Sequence, residues 1–392
     1  MLDGKRILLG IGGGIAVYRV AELTRLLIKA GASVRCVMTR SACEFVTPLT
    51  FEALTGEQVH DQLFDLTGER EMGHIKLARW ADAVIIAPAT ASLLARLAHG
   101  IADDLLSTIM QVCDKPVLLA PAMNTSMWES AASQHNISTL KQRGMFTVGP
   151  AIGLLACGEQ GAGRLAELPD IIAALMPLLT EQSLKGQDWV INAGPTHESW
   201  DGVRLLSNRA SGKLGQLLAE QALIRGAAVT LIAGPGTPTS SANIKRIDIE
   251  SAEQMLTACT RHAAGKDIFI GTAAVSDYRF THRQDEKLKR GDAHNITVQL
   301  EANPDIIAFI AAMQHRPRRV IAFAAESTNH IDYAKIKLQQ KNVDAIVAND
   351  ICNMGHDQAG GWWISHHSEH TIERSTKSAF AQHIINHIME LL

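Results

Sequence analysis

The sequence has no excess of basic residues: 37 Lys and Arg stand against 40 Asp and Glu, a formal charge of −3. Binding to a phosphate backbone draws on a clear basic surplus, so bulk attraction to DNA or RNA is not expected. Aromatic residues are scarce at 5%, which leaves few platforms for stacked bases. No run of about 18 uninterrupted apolar residues occurs, so no membrane-spanning helix is expected. Disulfide logic is absent too. Cys36, Cys43, Cys113, Cys157, Cys259 and Cys352 are scattered, with no Cys-x-x-Cys pair, and 392 residues build a core without staples. Reduced thiols and no cysteine-based zinc site follow. Lys5-Arg6 and the apolar stretch 7–17 imitate a secretion signal. Gly10, Gly12, Gly13 and Gly14 interrupt it, however, and Arg19 and Glu22 carry it on as a helix, so a cytoplasmic protein is expected.

What is present is globular: 46% apolar and 20% charged residues, over a length that suits two domains. Residues 6–11, 33–38, 83–87, 116–120 and 145–148 are short apolar runs. Between them lie 16–30, 91–98, 103–112 and 125–143 with helical spacing. Continuous apolar strands alternating with helices imply a parallel sheet covered on both faces. A polar stretch, 180–187, then resembles a linker, and strand-like runs resume at 189–192, 229–233, 268–271, 320–323 and 345–348. The reading is α/β: two three-layer αβα domains, 1–185 and 186–392, flavodoxin-like first and Rossmann-like second. The segment 352–363 lacks periodicity and receives no role.

Four segments of the first half carry chemistry. Gly10-Ile11-Gly12-Gly13-Gly14 follows a strand and opens a helix, where a doubly wound sheet places a phosphate. Ile15 stands where the dinucleotide fingerprint needs its last glycine, and no acid ends the second strand at Met38-Thr39-Arg40, so a mononucleotide fits better. A turn made glycine-rich for packing fits as well. His74, within Gly73-His74-Ile75, precedes a helix and also suits a cap. Asn124, in Pro121-Ala122-Met123-Asn124, follows a strand end, where open sheets bind ligands and where turn asparagines are also common. Cys157 opens a glycine-dense stretch, 157–164, read as a mobile loop that brings an acid or nucleophile over a site; an inert thiol is the alternative. In the second half, 201–215 is rich in Gly, Ser, Asn and basic residues at a helix mouth, which suits an anion. It is no P-loop, because Gly212-Lys213 is followed by Leu214. Gly271-Thr272-Ala273-Ala274-Val275-Ser276-Asp277-Tyr278 leaves a strand end, and a basic cluster follows at 286–290.

Taken jointly, these motifs resemble the bifunctional phosphopantothenoylcysteine decarboxylase/phosphopantothenate–cysteine ligase family of coenzyme A biosynthesis. The segments that carry the resemblance are Gly13-Gly14-Ile15-Ala16, Gly73-His74-Ile75, Ala87-Pro88-Ala89-Thr90-Ala91, Pro121-Ala122-Met123-Asn124, Ala156-Cys157-Gly158, the Val203-Arg204 to Gly212-Lys213 run and Lys287-Leu288-Lys289. The resemblance covers nearly the whole chain. It implies FMN at the first sheet, held by Gly12, Gly13, Gly14, Ile15, Thr39, Thr90 and Ser92, with His74 as active-site histidine. Asn124 would hold the substrate carboxylate and Cys157 would protonate the intermediate. In such enzymes FMN oxidises the cysteinyl thiol, which eases loss of CO2, and the electrons and a proton are then returned.

For the second half the resemblance implies ligation of 4'-phosphopantothenate to L-cysteine with CTP and Mg2+ (or Mn2+), through an acyl-cytidylate. The product, 4'-phosphopantothenoylcysteine, is then the decarboxylase substrate. Arg204 and Asn208 match contacts to the pantothenate part and the acyl-cytidylate, and Asn208 and Lys287 match catalytic positions. Gly271, Thr272, Ala273, Asp277, Asn303, Pro304, Asp305, Ile306, Phe323, Lys337 and Lys341 match nucleotide contacts. Metal ligands are not assigned. Members assemble through decarboxylase trimers and ligase dimers, so a homo-oligomer, a dodecamer, is expected. Two departures stand out. Gly12 replaces the usual Ser or Thr, and Gly202 replaces a proline, which predicts a looser loop. The contrasting reading is an FMN-binding regulatory subunit of a protein phosphatase. Such relatives can lack the His, Asn or Cys retained here, and they often carry acidic tails absent here.

Overall fold

A computed structural model of the chain describes residues 2–63, 73–239, 241, 243–289, 295–326, 329–350, 353 and 355–392; Arg290 and Cys352 lie outside the described residues. The chain forms two compact units, Met1–Glu181 and Gln182–Leu392. Among the described residues no helix is long and apolar enough to cross a membrane.

The first unit is built on five strands: β1 (Arg6–Ile11), β2 (Ser33–Met38), β3 (Ala83–Ala89), β4 (Val117–Pro121) and β5 (Phe146–Thr147). They run parallel in the order β2-β1-β3-β4-β5, the flavodoxin-like order. All seven residues of β3 are buried, as expected of a central strand covered on both faces. The covering helices are amphipathic. Val17–Lys29 buries Val17, Val20, Leu23, Thr24 and Leu27 along one stripe. Helix starts follow cap chemistry: Thr90 accepts from the Leu93 N–H, and Asp104 and Ser107 form a capping box before Leu105–Val112.

Two expectations for this unit change. The helical stretch 125–143 divides into Thr125–Glu129 and Ala131–Gln142, because the Ser130 hydroxyl caps the second helix at the Ser133 N–H, 3.2 Å away. The glycine-dense stretch 157–164 belongs to an antiparallel hairpin, β6 (Ala151–Leu154) with β7 (Gln160–Arg164), and is not a free loop. Gly161 and Gly163 in it serve close approach to the 123–125 turn, described below.

The second unit holds β8 (Asp188–Ala193), β9 (His197–Ser199), β10 (Leu205–Ser207), β11 (Ala228–Ala233), β12 (Lys245–Asp248), β13 (Ile268–Gly271), β14 (Tyr278–Phe280) and β15 (Leu300–Ala302). After these come β16 (Arg319–Glu326), β17 (Ala345–Asp350), β18 (Gln358–Ser365) and β19 (Glu369–Thr376). Its main sheet runs β12-β11-β8-β13-β16-β17-β18-β19. The first six strands are parallel and the last two antiparallel. This is a Rossmann-like core with an added hairpin. One apolar layer gathers Trp189, Leu218, Trp363, Phe380 and Ile384, and the opposite layer gathers Met255, Phe269, Ile310 and Leu338. The segment 352–363 showed no period because like residues stand side by side at Gly360-Gly361 and Trp362-Trp363, masking an alternation in which Ala359, Gly361 and Trp363 are the buried side of β18; its pairing with β19 shifts register between Ala359 and Gly361.

Candidate functional site

In the first unit, strand order reverses between β1 and β3, which opens a crevice at their carboxyl ends. A cleft of about 700 Å3 occupies it, lined by Gly12–Ala16, Thr39, Pro88, Thr90–Leu93, Ala122–Asn124 and the β6–β7 hairpin with Cys157. That volume suits a cofactor or small ligand. A Cβ at Gly12 would stand 2.3 Å from the Pro88 carbonyl oxygen, and one at Gly13 would stand 2.3 Å from Ser41 Cβ. The loop after β1 is therefore pressed against its neighbours. At position 12 glycine is what the β3 backbone leaves room for, which gives the departure from Ser or Thr a packing cause. Gly14 would meet only Thr90 Cγ2 at 3.7 Å.

The donors around the cleft suit an anion. Thr39 and Thr90 have local roles as helix caps, and Ser92 adds a hydroxyl on the wall. Arg19, read from the sequence only as part of a helix, also lines the cleft. Its Nη2 donates to Glu167 at 2.8 Å, while its buried Nη1 has no partner among the described residues. A buried, unsatisfied guanidinium N–H is costly and marks a place for an acceptor. A glycine floor, three hydroxyls and this orphaned donor fit a phosphate-bearing group such as FMN.

At the mouth of β4, Asn124 caps Thr125–Glu129 through the Ser126 N–H, 2.8 Å from Oδ1. Its Nδ2 faces Cys157 Sγ at 3.5 Å and donates to Glu159 Oε2 at 2.7 Å. The two candidates, 33 residues apart, are brought together by the hairpin. The Met123 N–H donates to the Gly163 carbonyl at 2.9 Å. A Cβ at Gly163 would fall 2.1 Å from the Met123 oxygen, and one at Gly161 would fall 2.4 Å from Thr125 Oγ1. Glycine at both positions lets β7 lie flat on the 123–125 turn. Glu159 is a second residue the sequence did not single out, since an exposed acid in a turn carries no signal. His74 is not among the lining residues of the cleft. It sits half-buried in the first turn of Gly73–Trp80, a helix that packs Leu77 and Ala78 into the core.

In the second unit the corresponding crevice lies between β8 and β13. Asn192, buried at the end of β8, accepts from the Thr272 and Ala273 N–H groups at 2.9 and 3.0 Å, and the Thr272 hydroxyl donates to the Asn192 carbonyl at 2.6 Å. Asn192 was given no role from the sequence, although an asparagine closing an apolar strand just before Gly194 is the signal that finds it. Asn208 donates to the carbonyls of Ala274 and Val275, both at 3.1 Å. Asn303 donates through Nδ2 to the Ser276 carbonyl at 2.9 Å and through its backbone to Asp277 at 2.8 Å. Asp305 caps Ile306–Ala311 and pairs with Lys341 at 2.9 Å. Burial raises the Asp305 carboxyl, but the Ala308 N–H and Lys341 outweigh it, and the net shift is downward. Asn208, His197 and Ser211 share a pocket of about 430 Å3. Gly271 and Ile306 are buried, Phe323 packs against the core, and Lys341 closes the helix His330–Gln340 on which Lys337 sits.

The loop at Asp201-Gly202 was expected to be loose and is tied down, together with the segment that bears Lys287. The Asp201 side chain is fully enclosed. It accepts from the N–H groups of Val203, Arg204 and Leu288 at 2.8, 2.7 and 3.1 Å, and from Arg204 Nε at 3.0 Å. Arg204 Nη2 in turn donates to the Leu288 carbonyl at 2.8 Å, and its guanidinium covers Trp200. The Arg204 guanidinium, followed by the backbone donors, holds the Asp201 carboxyl well below the usual carboxylate range. Gly202 presses on the Asp285 carbonyl, 2.6 Å from its would-be Cβ. Asp201 thus fastens the loop that the missing proline was expected to loosen.

The comparisons with known proteins agree with this division. A family model described as Flavoprotein matches residues 1–180, and one described as DNA/pantothenate metabolism flavoprotein C-terminal domain matches residues 184–392. The "Coenzyme A biosynthesis bifunctional protein CoaBC" of Haemophilus influenzae is 46% identical over 99% of this chain and 98% of its own length. The protein of the same name from Escherichia coli K12 is 45% identical over 89% of this chain and 87% of its own. A solved C-terminal domain of such a protein is 32% identical, covers 54% of this chain and 98% of its own, and superposes with a TM-score of 0.47. With full-length identity at this level and a matching model for each half, the chain belongs to the family of bifunctional coenzyme A biosynthesis proteins.

Proposed function

We propose that the second unit ligates 4'-phosphopantothenate to L-cysteine with CTP and Mg2+ (or Mn2+) through an acyl-cytidylate. The first unit then decarboxylates 4'-phosphopantothenoylcysteine to 4'-phosphopantetheine with FMN. The observation that carries the reading is the meeting of Asn124 and Cys157, 3.5 Å apart at the edge of a cleft whose floor suits a phosphate. When bound, FMN supplies the redox chemistry, taking electrons from the substrate's cysteinyl end and returning them. Gly12, Gly13, Gly14, Ile15, Thr39, Thr90 and Ser92 would hold it, with Arg19 as an added donor. Asn124 presents an amide N–H to the substrate carboxylate, and the exposed Cys157 thiol, beside that amide, delivers the proton once CO2 has left. The same pair of groups disfavours a purely regulatory FMN-binding role.

In the ligase unit, Asn208 and Arg204 would hold the acyl part, and Lys287, on the loop fastened by Asp201, would meet the phosphates. Lys337, Lys341, Asp277 and the 303–305 turn would complete the nucleotide site, with the metal arriving on the triphosphate. His74 stands outside the cleft of its own chain, and Ile15, Tyr18, Met127 and Leu154 leave an exposed apolar rim there. Both features fit a homo-oligomer (decarboxylase trimers and ligase dimers in a dodecamer) in which a neighbouring copy covers the rim and brings its His74. The deciding experiment incubates the purified chain with 4'-phosphopantothenate, L-cysteine, CTP and Mg2+. CMP, CO2 and 4'-phosphopantetheine are expected together; CMP without CO2 from a flavin-loaded preparation removes the decarboxylase claim.

A further inference from the structure

We infer that the second unit carries a transition-metal site made by His370, His387 and Glu390, separate from both proposed catalytic sites. It takes Zn2+ or a chemically similar ion and fastens the last strand of the sheet to the C-terminal helix.

The placement comes from two elements. His370 lies on β19, the edge strand of the sheet. His387 and Glu390 are three apart in the last turn of Lys377–Glu390, so their side chains project from one face. One ligand atom from each of the three lies within 4.8 Å of the others. The His387 ring stacks on Trp363 at 5.5 Å and, in the metal-free arrangement, on His370 at 4.9 Å. Its Nδ1 is 3.1 Å from Glu390 Oε2. Tetrahedral zinc with Zn–N of about 2.0–2.1 Å sets neighbouring ligand atoms roughly 3.3 Å apart. The cluster therefore needs to contract by up to about 1.5 Å, and the His370 ring must turn out of its stack on His387 so that both lone pairs meet one ion. His370 and Glu390 are exposed and have the freedom to make that movement around His387.

The donor set selects the ion. Two imidazoles and one carboxylate suit Zn2+, Co2+ or Ni2+ and leave a coordination position for water. Mg2+ prefers oxygen ligands and retains its own waters, so the ion that accompanies CTP does not compete here. The effect is mechanical. The strand and the helix are the last two elements of the chain, and an ion bound only when they are docked stabilises the docked state by mass action.

The test uses the full chain, stripped with a chelator and titrated by calorimetry with ZnCl2 alone and with MgCl2 alone. Thermal unfolding is followed in parallel. One equivalent of Zn2+ is expected to bind and to raise the melting temperature, with Mg2+ giving neither effect. His370→Ala, a change at an exposed position, is expected to weaken that equivalent at least tenfold and to abolish the zinc-dependent shift. His383→Ala alters an exposed histidine of the same helix outside the cluster and is expected to leave both unchanged. No saturable zinc binding, or binding that His370→Ala leaves intact, overturns the inference.

Discussion

Gly163→Ala is a local test of the claim that the β6–β7 hairpin brings Cys157 to Asn124. An alanine there has φ of +153° and its Cβ 2.1 Å from the Met123 oxygen. Non-glycine backbone in such a region costs about 1–3 kcal/mol. Relief of the clash requires β7 to move off the 123–125 turn, which also gives up the Met123–Gly163 hydrogen bond, worth about 1 kcal/mol. Together these disfavour the seated hairpin by roughly 2–4 kcal/mol, or about 30-fold to several hundred-fold at 1.4 kcal/mol per decade. Decarboxylation of 4'-phosphopantothenoylcysteine by the variant should fall by that order, while CMP release by the ligase unit holds at the wild-type rate. Gly158→Ala is the control. It lies in the same hairpin at φ +85°, but its Cβ meets nothing within 4 Å, so it bears only the left-handed backbone cost of about 1–2 kcal/mol. Equal losses in the two variants, or full decarboxylase activity in Gly163→Ala, would refute the reasoning.

Other outcomes follow from the same geometry. Cys157→Ser should halt 4'-phosphopantetheine formation and leave CMP release intact, as read by product analysis. Burial pushes the Cys36 and Cys259 thiols up to about 12. Iodoacetamide at pH 8 should therefore label the exposed Cys157 in the native protein and spare those two until denaturant is added, as mapped by mass spectrometry. Asp201→Asn should lower ligase kcat/KM with the decarboxylase rate unchanged, since it frees the Lys287 loop. The pH signature has a defined sign. The folded carboxyl lies below its unfolded value of about 3.9, so its stabilisation is fully present above that value. It is lost as pH falls toward the folded value. Acid unfolding of the second unit should lose part of its steepness below about pH 4 in Asp201→Asn, read by circular dichroism.

The two sheets were legible because their strands are continuous apolar runs. The residues 7–11, 83–87 and 268–271 have no polar side chain to disguise their burial on both faces. The Gly12–Gly14 loop was legible by position, following a strand and opening a helix. Less could be read where the determinant is contact between distant backbones. Gly161 and Gly163 look like a flexible loop in sequence, and only the nearness of Met123 and Thr125 shows that they are packing glycines. Gly360-Gly361 and Trp362-Trp363 set like residues side by side, which hides the alternation of β18 from a period-two search. Asp201 looks like an ordinary turn aspartate until Leu288, 87 positions on, folds over it. His74 illustrates a different limit, for residue matching assigns a role without saying in which copy of the chain that role is performed.

The bond from Asn124 to Glu159 makes the decarboxylase site self-competitive. Asn124 Nδ2 is already satisfied by a carboxylate of its own chain at 2.7 Å. On the proposed reading a substrate carboxylate seeks that same N–H. The internal acid is tethered two residues from Cys157, and tethering gives a group an effective concentration in the millimolar range without any new contact. Glu159 therefore competes with the substrate for that amide, whose second N–H faces Cys157. Once CO2 departs, the vacated amide is again the nearest partner for Glu159.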